Sequence, residues 1–167
     1  MNALLVIDVT KAYLYGNGLY YPPVNGQTRN DFVNRITQRV SNTNGERVFF
    51  FYDKMGSTLP TQLELLAKKH TKRKKQDMSA FDIWGDNLTQ SALHLELEEN
   101  GIDVIEVCGL FSLYCVYATV SDALWLGYKV LVNPELILGN NGQIGADIKW
   151  LKGLNDRVDN KGSLIVL

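Results

Sequence analysis

At 167 residues the chain is long enough for one sizeable hydrophobic core and too short for two ordinary domains, so a single domain over 1–167 is expected. With 46% hydrophobic residues, 21% charged residues and a net charge of −1, it has the balance of a globular protein. It carries no overall field to draw nucleic acid or an anionic membrane, and neither partner is expected. The two cysteines, Cys108 and Cys115, are poor material for a disulfide framework. Met1-Asn2 leads straight into a strand-like run with no signal peptide, and no apolar run approaches a membrane span. The expectation is a cytoplasmic protein in a reducing compartment.

Residues 3–9, ALLVIDV, form a compact apolar run that ends in an acid. In an open α/β sheet, ligands bind beyond the carboxyl ends of the strands, so Asp8 stands where chemistry is done; a cap or a structural ion pair is the plainer reading. Residues 13–27 hold Gly16, Gly18, Pro22, Pro23, Gly26 and four tyrosines, a turn-rich loop suited to a rim or lid, or simply pinned down by its aromatics. From Thr28 the spacing Phe32, Ile36, Val40 marks a helix that ends before Asn44-Gly45. Arg47–Tyr52 reads as the second strand, with Asp53 after it. Residues 60–70 form a short helix with Leu63, Leu66 and Ala67 on its apolar face. Thr71-Lys72-Arg73-Lys74-Lys75 taken alone is a charge run, and such runs are usually solvated.

Residues 86–100 read as an amphipathic helix with Leu88, Ala92, Leu95 and Leu97 among its apolar positions and Asn100-Gly101 as its stop. The two histidines, His70 and His94, fall on helices among polar neighbours, where solvated side chains are expected rather than metal ligands. The apolar run 104–107 suits a strand buried on both faces, ended by Gly109. From Leu113 the spacing turns helical, with Val116, Val120, Ala123 and Leu124 on one side and Gly127 as its stop, and 128–132 is the next strand. This is a βαβ unit with Cys115 in the first turn of its helix. There the unpaired N–H groups and the helix dipole favour a thiolate, although most unpaired cysteines are merely small buried apolar residues. After Asn133-Pro134 come an emphatic turn at Gly139-Asn140-Asn141-Gly142, a helix over 144–154 and a closing strand over 163–167. The alternation predicts a three-layer α/β/α fold with a doubly wound, six-stranded, mainly parallel sheet.

Gly109, Ser112, Cys115-Val116, Thr119, Asp122-Ala123 and Gly127-Tyr128 fall at the spacings of a known cysteine motif, and the chain resembles the isochorismatase-like cysteine hydrolases, the family of nicotinamidases and N-carbamoylsarcosine amidohydrolase. The resemblance extends to Asp8, at the family's first-strand aspartate, in a partial match to D-x-Q-x-D-F where Tyr13 keeps the aromatic place and Thr10 and Ala12 replace the glutamine and second acid. It also selects Lys75, four residues before Ser79-Ala80-Phe81, although Lys72 and Lys74 stand near. The resemblance implies a triad of Asp8, Lys75 and Cys115. It further implies an oxyanion hole from the backbone N–H groups of Phe111 and Cys115, with a cis peptide at Leu110-Phe111, and a substrate pocket involving Tyr13, Phe81 and Ser112. Nicotinamidases place a histidine two residues after an aspartate near position 53 to help hold a metal; here the sequence is Asp53-Lys54-Met55, so no metal and no cofactor is expected.

The resemblance thus points to hydrolysis of a C–N bond in a small amide or carbamoyl compound through a cysteine thioester, since family members acting on vinyl ethers can dispense with the cysteine. Family members commonly associate, and Trp84, Trp125 and Trp150 on amphipathic segments fit a homo-oligomer, dimer or tetramer. Two rivals stand beside this. One is a catalytically degenerate member serving as a binding or assembly module. The other is a phosphoacceptor receiver domain, loosely imitated by Asp8, Asp53 and Lys75, which lacks the paired acids that a magnesium site needs after the first strand.

Overall fold

The computed structural model describes residues 1–16, 24–52, 58–82, 85–157 and 159–167. The central strand β1 (Asn2–Ile7) is buried from Ala3 onward on both faces, which is why its sequence is a continuous apolar run rather than an alternating one. It pairs in parallel with β2 (Arg47–Tyr52) in the register Ala3↔Arg47 to Ile7↔Phe51, and on its other side with β4 (Val104–Leu110) from Asn2↔Val104 to Ile7↔Gly109. Beyond β2 lies β3 (Thr71–Lys74), and beyond β4 lie β5 (Lys129–Val132) and β7 (Ser163–Val166), giving the order β3-β2-β1-β4-β5-β7. A two-residue strand, β6 (Ile137–Leu138), adds to the carboxyl end of β4. Every pairing between these strands is parallel. The chain winds outward from β1 through β2 to β3, then returns to β4 and winds the other way. The switch point therefore falls between the carboxyl ends of β1 and β4, where an open sheet of this kind holds its ligand.

Side-chain alternation along the strands feeds two cores. On one face Leu5, Ile7, Phe49, Phe51, Ile105 and Val107 pack under Val116, Val120, Ala123 and Leu124 of α5 (Cys115–Leu126). On the other, Leu4, Val6, Phe50, Cys108 and Leu110 meet Phe32, Val33, Ile36 and Val40 of α2 (Gly26–Ser41), together with Leu63 and Ala67 of α3 (Thr61–Ala67). Helix α1 (Lys11–Tyr15) is a single turn after β1, and α4 (Ala92–Glu99) covers the α5 face. Local chemistry sets the helix ends. Asn25 accepts from the Gln27 N–H at the start of α2, and Gly127, at φ 101°, closes α5 with its own N–H on Ala123 and Leu124.

The structure departs from the sequence expectations where tertiary partners override local signals. The charge run after α3 is not a solvated coil: 71–74 pair with 49–52 as the edge strand β3, the sixth strand of the main sheet. An edge position lets the backbone pair while the cationic ends reach acids or water at the rim, Lys72 meeting Glu64 and Arg73 meeting Glu96. The helix expected over 86–100 divides at Ser91, whose hydroxyl accepts from the His94 N–H and starts α4, after a 3₁₀ segment at Gly85–Gln90. Likewise 144–154 resolves into α6 (Ile148–Lys152) and a 3₁₀ turn at Gly153–Asp156. His94 is also not solvated. It is 6% exposed, and its Nδ1 lies 2.7 Å from the Tyr128 hydroxyl. At the other end of the sheet, the Asn155 side chain accepts from the Leu164 N–H and donates to its carbonyl, at 2.8 and 2.9 Å.

Candidate active site

Three strand ends converge at the switch point. Asp8 follows β1, with its N–H donating to Phe51 and its backbone in the left-handed region at φ 51°, so the side chain leaves the strand line. Lys75 follows β3, held by its N–H on the Tyr52 carbonyl at 2.9 Å. Cys115 opens α5. The Lys75 ammonium has three donors. They reach Asp8 Oδ2 at 2.9 Å, the Asp77 carbonyl at 2.8 Å and Cys115 Sγ at 3.4 Å. The Asp8 and Lys75 side chains are 1% and 3% exposed, so this ion pair is almost fully withdrawn from water. Lys72 instead pairs with Glu64 at 2.8 Å, and Lys74 is exposed.

The electrostatics decide how Cys115 rests. Burial pushes its thiol up and the Asp8 carboxylate adds to that; Lys75 opposes both, and the net value is about 12. A standing thiolate, expected from the helix terminus and the lysine, is therefore not the resting state. A thiol hydrogen-bonded to a carboxylate is. Burial lowers the affinity of Lys75 for its proton, but the Asp8 carboxylate, helped by the hydrogen bonds to Asp8 and Cys115, more than offsets this and holds the ammonium protonated. Cys108, wholly buried in the opposite core, has its thiol pushed up by burial, with Glu106 adding to it.

The segments that carry these groups are clamped to one another. Thr119, one turn into α5, donates to the Cys115 carbonyl at 2.7 Å and accepts from the Ala80 N–H at 3.0 Å. One turn further, Asp122 hydrogen-bonds Ser79. Two positions of the cysteine motif thus dock the Ser79-Ala80-Phe81 segment and, through it, Lys75. Asp82 secures the turn between them by accepting from the Gln76 and Asp77 N–H groups at 2.6 and 3.0 Å.

The expected lining residues occupy different settings. Tyr13 stands edge-on to Phe111, with ring centres 5.8 Å apart, and the Leu110–Phe111 peptide is cis. Phe81 is buried and stacks on Tyr128 at 6.2 Å. Ser112 is fully buried; its hydroxyl donates to Asp147 at 2.8 Å and lies 3.3 Å from Asn140 Oδ1. The partnership of Asp147 and Asn140 with the cysteine loop is absent from the sequence reading. The Gly139-Asn140-Asn141-Gly142 turn announces a reversal of the chain but not where it lands. Asp53 and Trp84 lie outside the described residues.

Among the described residues the donors do not assemble a transition-metal site. His70, 6.2 Å from the Phe50 ring, lies on the α2 face of the sheet, and His94 lies on the α5 face with Nδ1 engaged by Tyr128. The only two histidines therefore cannot meet at one ion, and among the described residues no group of three His, Cys, Asp or Glu converges.

The chain thus carries a buried Asp–Lys–Cys cluster at the switch point of a parallel α/β sheet. A sequence model of the isochorismatase domain matches residues 2–142, and the chain belongs to the isochorismatase family. No curated protein sequence matches it. Among solved structures it is similar to a pyrazinamidase/nicotinamidase from Streptococcus mutans, with TM-score 0.75, 21% identity and coverage of 99% of this chain and 100% of that one. It is similar also to N-carbamoylsarcosine amidase from Thermoplasma acidophilum, with TM-score 0.67, 19% identity and coverage of 98% and 94%. A third is a Pyrococcus horikoshii pyrazinamidase in complex with zinc, with TM-score 0.66, 17% identity and coverage of 99% of each chain. These likenesses establish the fold. None of the described helices is long and apolar enough to cross a membrane.

Proposed function

We propose that this chain, as one unit over 1–167, is a cysteine hydrolase that cleaves the C–N bond of a small amide or carbamoyl compound, with Asp8, Lys75 and Cys115 as its triad. The observation that supports it is the geometry at Lys75, whose ammonium lies 2.9 Å from Asp8 and 3.4 Å from Cys115 Sγ. Because the thiol rests protonated, the reaction needs a base in contact with it, and Asp8 is that base.

As Sγ attacks the carbonyl carbon, the proton passes to the Asp8 carboxylate and the carbonyl oxygen becomes an oxyanion. The N–H groups of Phe111 and Cys115 receive it, and losing one such donor typically raises a barrier by about 3 kcal/mol. Collapse breaks the C–N bond, and the proton held by Asp8 goes to the departing nitrogen. Asp8 then takes a proton from water, which attacks the thioester and releases the acid and the free thiol. Lys75 keeps its charge throughout, stabilising whichever of Asp8 and Sγ is negative. Tyr13, Phe81 and Ser112 complete the reading as residues that shape the pocket, directly or from behind it. Localisation in the cytoplasm and assembly as a homo-oligomer belong to the same proposal.

Release of ammonia from a panel of amides and carbamoyl compounds tests the activity. Cys115→Ala abolishes turnover with the fold intact, whereas Cys108→Ala, in the opposite core, leaves kcat within about twofold and costs some stability. Equal losses in both variants, or no release from any compound, would leave the binding or assembly module as the better reading.

A further inference from the structure

The loop after β6 folds back onto the segment between Phe111 and Cys115. The carbonyl of Leu138, which ends β6 and opens that loop, accepts from the Ser112 N–H at 3.1 Å, Asn140 Oδ1 accepts from the Leu113 N–H at 3.0 Å, and Asp147 Oδ2 accepts from the Ser112 hydroxyl at 2.8 Å. Two successive residues of the cysteine loop are thus held at three points by one other loop. Ser112 is fully buried, so its hydroxyl cannot turn to water, and a bond to a carboxylate is roughly twice as strong as a neutral one.

The holding loop is shaped for this contact. Asp147 adopts the left-handed region at φ 63°, which a non-glycine residue rarely does. At Gly139 a Cβ would stand 2.4 Å from the Ala146 Cβ and a tight 3.2 Å from Asp147 Oδ2, so glycine lets the chain pack directly against the residues that carry the carboxylate. Cross-bonds from the Gly139 N–H to Gln143 and from the Gly145 N–H to Ile137, at 2.8 and 2.9 Å, keep the loop rigid.

We infer that Asp147 and Asn140 are positioning residues, which touch no substrate but fix the 111–115 segment so that the N–H groups of Phe111 and Cys115 converge on one oxygen. The catalytic consequence rests on the proposed hydrolase reading; the anchoring itself does not, and the two can fail separately.

The test uses the full chain with Asp147→Ala, Asp147→Asn and Asn140→Ala, and three readouts. These are amide hydrogen exchange over residues 110–116, kcat and KM for ammonia release, and alkylation of Cys115 by iodoacetamide, a reaction that develops no oxyanion. In Asp147→Ala, exchange in that segment accelerates by about tenfold or more, as expected for local opening. In the same variant kcat falls by about 100-fold, the cost of a misplacement near 1 Å, while KM and the alkylation rate stay within about twofold. Asp147→Asn, which keeps an accepting oxygen, restores most of kcat. Unchanged exchange in Asp147→Ala overturns the anchoring, whatever the enzyme's activity. A kcat loss that Asp147→Asn does not rescue, or alkylation that falls in step with kcat, overturns the positioning role. Should Asp147→Ala not fold, Asn140→Ala, which leaves the Ser112 to Asp147 bond in place, carries the same comparison. A wild-type chain that releases ammonia from no compound refutes the hydrolase reading, and exchange still decides the anchoring.

Discussion

Asp8 acts on Cys115 in two opposed ways. Its charge helps hold the thiol proton on, yet in the proposed reaction its carboxylate is the acceptor that removes that proton when a carbonyl is attacked. With burial and Asp8 together placing the thiol at about 12, the thiolate fraction, and with it alkylation by iodoacetamide, rises about tenfold per pH unit from neutrality toward that value. Asp8→Asn removes the negative charge and leaves Lys75, so the thiol value falls and alkylation at neutral pH accelerates. Turnover in the same variant drops by at least about 100-fold for want of a base. Rates of alkylation and hydrolysis that fall together would show that Asp8 instead holds the site's shape. Asp8 was legible at a strand end and Cys115 at a helix start, Lys75 only through the family resemblance, and the structure brings the three side chains together. The protonation of Cys115 was not legible, because it depends on how deeply three strand ends are buried, and no local pattern encodes that depth.

Where β1 and β4 meet beside Asp8, one glycine lets the two strands close. A Cβ on Gly109 would fall 2.1 Å from the Ile7 carbonyl oxygen, and its φ of +121° is foreign to L side chains. The atom in the way is backbone, so relief requires the strands to part at the switch point. Gly109→Ala accordingly costs about 3 kcal/mol or more in urea unfolding. Gly45→Ala, also at positive φ (+73°) but with open space around it, costs about 1 kcal/mol. Similar midpoints for the two variants would refute the close-approach argument. The elements that sequence made plain, such as β1, β2, β4 and α5, are those whose burial imposes a periodic or unbroken apolar run. Strand β3 was hidden because its pairing with β2 needs no apolar side chains, and the 137–147 loop because its partner lies in another motif with no shared periodicity.

For the molecule as a whole, the three tryptophans divide. Trp125 is half-buried with the Lys161 ammonium 4.5 Å over its ring, Trp150 on α6 is 57% exposed, and Trp84 lies outside the described residues. Trp150 is the kind of large exposed aromatic that interface cores collect. Sedimentation at micromolar concentration is expected to show a dimer or tetramer, and Trp150→Glu to weaken it. A monomer with full activity would show that the site is complete within one chain.

The two margins of the sheet limit how such copies can meet. At one margin β3 carries the exposed Lys72 and Lys74, with Lys72 paired to Glu64 and Arg73 to Glu96, and such charged side chains on an edge strand disfavour an incoming one. At the other, the Asn155 amide already occupies the backbone of Leu164 as a neighbouring strand would. Both margins therefore disfavour pairing with a further strand, and with it the growth of one copy's sheet from another's.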